Sequence, residues 1–134
     1  MDARTTQLAS DELVSAVAER RQLFVAQPGT DDYKFLEMTG ADAAAGGPGN
    51  MSILVRSENP QRLTLMEEFL HGTQSKIWGD PGVDVGGAET AFREWQVRDF
   101  MNRHTQMLGW DSNEQAVLQS ELKYWAQKAG KTTT

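Results

Sequence analysis

The chain has 134 residues, 13 Lys and Arg against 19 Asp and Glu, a formal charge of −6, a pI near 4.8 and no cysteine. Its length suits one compact domain, residues 1–134, with a core that needs no staples. The missing cysteines exclude a disulfide framework and a thiolate metal site. The acidic balance repels a phosphate backbone and weighs against a broad nucleic-acid surface.

No stretch is apolar and long enough to span a bilayer, and Met1 to Thr6 lacks the apolar run of a signal peptide. The expectation is an excised domain of a larger protein, with no membrane insertion of its own.

In chain order, a first helix is predicted from Ser10, with Asp11 and Glu12 in its first turn and Leu13, Val14, Val17 and Ala18 on its apolar side. It runs on to Pro28-Gly29 or gives way to a short strand around Leu23 to Val25. Asp31 to Thr39 reads as a weak strand, and Ala41 to Asn50 as a flexible loop, a candidate lid. Met51 to Arg56 is the clearest strand, rich in β-branched and apolar residues between turn signals.

A second helix is predicted from Pro60 or Gln61 to Trp78, followed by a glycine-rich connection at Val83 to Gly87. A third runs from Ala88 to Leu108. A fourth starts at Asp111 or Ser112, where two spacings fit a capping box, and ends at Gly130. Lys131 to Thr134 reads as a polar end. The fold class is therefore α+β, a small helix-dominated domain with a two- or three-stranded β element packed on the second helix.

That second helix carries Glu67-Glu68-Phe69-Leu70-His71, an E-E-x-x-H run close to the H-E-x-x-H of zinc peptidases. Residues three and four apart share a helix face, so Glu67, His71, Gln74 and Trp78 fall in one band, with Glu68 beside it. Leu63, Met66, Leu70 and Ile77 form a separate apolar stripe, widened by Leu65 and Phe69. A carboxylate and an imidazole at ligand spacing, beside a second carboxylate, suit a divalent ion and an activated water. The bland alternative is a polar band facing water, with Glu67 and His71 a surface pair of small value.

The segment Leu65 to Gln74 resembles the E-E-x-x-H-x-x-Q core of zincin-like metallopeptidase toxin domains of bacterial polymorphic toxins. The likeness continues through Glu94 to Met101, Trp110-Asp111 and Leu122 to Trp125. The resemblance implies Glu67 and His71 as metal ligands, Glu94 as the third, and Glu68 as general base. It leaves Gln74 to orient His71 or a substrate carbonyl, and Arg98 to hold Glu94 or stabilise an oxyanion. Asp99 and Glu89 are weaker rivals of Glu94, and His104 reads as a solvated helix-end residue.

The implied cofactor is a divalent metal, zinc first. The implied setting is interbacterial competition: delivery as part of a secreted or cell-surface protein, action on a macromolecule in the target-cell cytoplasm, and neutralisation by a cognate immunity protein. Two alternatives stand beside it. One is a toxin RNase using Glu and His as acid and base, with Trp78 or Trp110 as stacking platforms. The other is a non-catalytic interaction domain.

Overall fold

The computed structural model describes residues 6–80 and 87–131. The expected readings at Met1 to Thr5, at Val83 to Val85 and Gly86, and at the last three threonines lie outside the described residues. The fold is α+β, as expected. The chain divides into two compact units, one of them Gln7–Asp80 and the other containing residues 87–131.

In the first unit, helix α1 (Asp11–Ala18) starts where Ser10 Oγ accepts the Leu13 N–H at 3.1 Å, with Asp11 and Glu12 complementing its dipole. It stops at Ala18, and strand β1 (Gln22–Val25) follows, so the short-strand alternative holds.

Residues Asp31–Thr39 form helix α2 where a strand was expected. The reason lies at its ends. Thr30 Oγ1 accepts the Tyr33 N–H at 3.3 Å, two aspartates fill the first turn, and Gly40 closes the helix at φ 70°. These end signals outweigh the aromatic composition between them.

The alanine and glycine run holds strand β2 (Ala43–Gly46) and a 3₁₀ turn (Pro48–Asn50) where a loop was expected. Strand β3 (Ser52–Val55) is the central strand, parallel to β1 and antiparallel to β2. It recruits β2 through backbone pairing with Ala44 opposite Leu54 and Gly46 opposite Ser52, and small side chains do not oppose this. The 3₁₀ turn is tied down rather than loose. Asn50 Nδ2 donates to Ser75 Oγ at 3.1 Å, and the Gly49 N–H donates to Asp80 Oδ2 at 3.3 Å.

Helix α3 (Arg62–Trp78) lies on one face of this sheet with α1. Ile53, Val55, Ala43, Val17, Ala9 and Leu65 make the core, and Leu13, Val14, Leu23 and Phe69 pack around it. The alternation along β3 produces this: Ile53 and Val55 face the core while Ser52 and Leu54 face the other way.

In the second unit, α4 (Ala88–Arg103) packs on α6 (Ser112–Lys128). The expected third helix is interrupted at His104, where φ −108° and ψ 29° leave the helical region, and a short α5 (Thr105–Leu108) follows. Of the two capping-box spacings, the chain uses Asp111 with Glu114. Asp111 Oδ1 accepts the Glu114 N–H at 2.7 Å, and Glu114 Oε1 accepts the Asp111 N–H at 3.0 Å.

Because α2 depends on its ends, Thr30→Ala and Gly40→Ala should each lower the urea-unfolding free energy by about 1 kcal/mol. Thr30→Ser should be near neutral. Unchanged unfolding in both variants would show that α2 is held by its side-chain contacts instead.

Candidate functional site

Helix α3 buries more than its apolar stripe. Leu65 sits in the sheet core and Phe69 packs against it, while Ile77, expected in the stripe, is exposed. Glu67 is only 6% exposed and Gln74 only 4%. On this band Glu67 and Gln74 are therefore shielded from bulk water and His71 partly so, whereas Trp78 at its end is exposed. A buried carboxylate is tolerated only where polar partners meet it.

His71 is half-buried, and its Nδ1 lies 2.9 Å from Gln74 Oε1. An amide oxygen can only accept, so Nδ1 carries the proton in this bond. Glu68 Oε2 accepts the Ala45 N–H from β2 at 2.7 Å, which ties this carboxylate to the edge of the sheet. Glu68 and His71 are thus each oriented by a specific hydrogen bond, one from a strand and one from the helix itself.

Beneath this turn of α3 sits Arg21, which the sequence reading passed over. Its guanidinium lies over the Phe69 ring at 4.1 Å, and Nη2 donates to Phe69 O at 2.9 Å and to Thr73 Oγ1 at 3.3 Å. Nη1 donates to Arg20 O at 3.0 Å. Gly72 makes the room: a Cβ there would stand 2.5 Å from Arg21 Nε. Burial, with the neighbouring charge of Arg20, holds the Arg21 pKa below its ordinary value. The signal available in the sequence was Gly72 itself, a glycine inside a helix at a cost of about 1 kcal/mol relative to Ala, which asks for a packing reason.

The other expected site residues lie in the second unit. Arg98 is buried, and its Nη1 donates to both the backbone oxygen and a carboxylate oxygen of Glu94 one turn earlier. Its Nε also lies 3.4 Å from Glu121 Oε1 in an ion pair, and its guanidinium sits 5.7 Å from the centre of the Trp125 ring. Glu121 and Trp125 on α6 are partners that the sequence reading did not assign to it. Arg98 thus pairs with Glu94 within its own helix and with Glu121 on α6.

Glu89 pairs with Arg93 at 3.2 Å, and Asp99 pairs with Arg103 at 3.0 Å. His104 is half-buried rather than solvated, with its ring 4.3 Å from that of Phe100. Trp110 is buried and donates from Nε1 to Met101 O, so it offers no open face to a base, whereas Trp78 is 47% exposed.

A protein zinc site needs three or four donors. Glu67 and His71 match such a site in donor type, one carboxylate and one imidazole at i,i+4. Among the described residues, no group of three His, Cys, Asp or Glu side chains is gathered as a metal site. The α3 pair fits a divalent ion in kind and falls short of it in number.

The Arg21 seat makes a signed prediction. Gly72→Ala should destabilise the protein by about 1–2 kcal/mol, although Ala is the better helix former, because the new methyl displaces a buried guanidinium. In an Arg21→Ala background the same change should become neutral or stabilising. A double-mutant cycle in urea measures the coupling, and additive effects would refute the contact.

Comparison of the chain with protein-family models, with curated proteins and with solved structures finds no match to any of them.

Proposed function

We propose that this protein is a toxin domain with a zincin-like hydrolase site on α3, acting on a macromolecule in a target cell and held in check by an immunity protein. The observation that carries the reading is the His71 Nδ1 to Gln74 Oε1 hydrogen bond beside the buried Glu67. A metal-ligating histidine commonly donates its other ring N–H to an oxygen acceptor, and Gln74 supplies one here.

In this reading Glu67 and His71 would be the ligands that α3 supplies to a divalent ion. A bound zinc supplies Lewis acidity toward a water or a scissile carbonyl. Glu68 takes the proton of the attacking water and passes it to the leaving group. Its bond to the Ala45 N–H keeps the carboxylate at one place beside β2.

Glu68→Gln is the sharpest test, because the amide keeps an acceptor oxygen for Ala45 while losing the base. Expression of the wild type in a bacterium should arrest growth, and Glu68→Gln should relieve the arrest. In hydrolysis the expected loss is about 100-fold or more, with the urea midpoint little changed.

The purified wild type should carry zinc or another divalent ion, and His71→Ala should lose it. Full toxicity of Glu68→Gln would overturn the assignment. Degradation of tRNA by the wild type with chelator present would replace it with the nuclease.

A further inference from the structure

The sheet has a second face, turned away from α3, and that face is incompletely covered. Its side chains run Phe24, Leu54, Ala44 across one row and Gln22, Ser52, Gly46 across the next, following the strand register. Within each row the side chains shrink toward β2. With Phe35 and Asp32 of α2 on its wall, the face leaves a hollow of about 620 Å³. Phe24 and Phe35 are both 53% exposed beside it.

Gly46 shows that the space is open rather than merely unfilled by local necessity. A Cβ built there would meet nothing within 4 Å. Its backbone is that of an ordinary strand, so neither conformation nor packing asks for glycine at this position. The effect of glycine here is to keep the floor of the hollow low.

The wall is acidic. Helix α2 carries Asp31, Asp32 and Glu37 against a single Lys34, and Asp32 lines the hollow itself. The chain as a whole is at −6. An apolar slot with a carboxylate on its wall complements an apolar side chain next to a Lys or Arg, and repels a phosphate-bearing ligand.

We propose that this hollow is a docking site for a basic, apolar segment of a partner protein. The inference is independent of the hydrolase reading, since it uses none of the α3 residues. The partner inserts an aliphatic or aromatic side chain between Phe24 and Phe35, over Gly46. A lysine or arginine beside that side chain meets Asp32.

Two probes test it: an acetylated, amidated Lys-Leu-Lys-Phe-Lys-Leu-Lys peptide and its counterpart with Glu for every Lys. Each is titrated into the ¹⁵N-labelled full chain. The basic peptide should shift the amides of Ala44, Gly46, Gly47 and Phe35, and the acidic one should not.

Asp32→Asn should weaken the basic peptide by roughly threefold or more, as should raising the salt. Gly46→Val should fill the slot and weaken binding by about tenfold, with an unchanged melting temperature because the added side chain enters open space. Equal binding of both peptides overturns the proposal, as does full affinity in Gly46→Val. So does a molecular mass that rises with protein concentration and falls back in Gly46→Val, since a second copy would then be the occupant.

Discussion

A guanidinium seated against a helix that lacks a side chain at that turn organises the first unit. Arg21 follows α1 directly and precedes β1, and it reaches Phe69, Gly72 and Thr73 on α3. The contact joins the turn between α1 and β1 to one side of α3. A methyl at Gly72 would displace the guanidinium from this seat, and a helix turned by one residue, about 100°, would present another side chain to Arg21. Desolvating this cation is costly, and the offset comes from two oxygen acceptors on α3, one on Arg20 and an aromatic face.

The polar band lies beside that seat on the same helix. With Phe69 and Gly72 turned toward Arg21 and Leu65 in the core, Glu68 comes to the edge of β2, where the Ala45 N–H meets it. His71 and Gln74 then lie along the helix within bonding distance of each other. The geometry on which the catalytic reading rests is thus a consequence of packing on the neighbouring turns. The second unit uses a different device: one arginine on α4, held by a carboxylate of its own helix, by Glu121 and by the Trp125 ring of α6.

The two sides of the sheet serve different ends. One side is closed by α1 and α3 around Ile53 and Val55, with side chains that interlock. The other carries side chains that shrink toward β2, beside a helix whose Phe35 stays half in water. A sheet this small gains its stability from one well-packed face, which leaves the second available for contact with something else.

Local signals wrote much of this in the sequence. Ser10, Asp111 and Glu114 mark helix ends through hydrogen bonds that span only three residues, so Ser10 and the capping-box spacings were legible. The β-branched run at Ser52 to Val55 and the helical spacing of Glu67, Glu68, His71 and Gln74 were legible for the same reason. The interior of α2 has the aromatic and apolar composition of a strand, and only its caps, Thr30 and Gly40, mark it as a helix. Strand β2 could not be read at all: alanine and glycine have no preference for pairing, and β3 supplies it. Burial of Glu67 and Gln74, the seat of Arg21 at Gly72, and the grip of Glu121 on Arg98 were decided by tertiary structure alone. Each joins groups far apart along the chain or depends on which side of a helix is covered, and local periodicity carries no information about either.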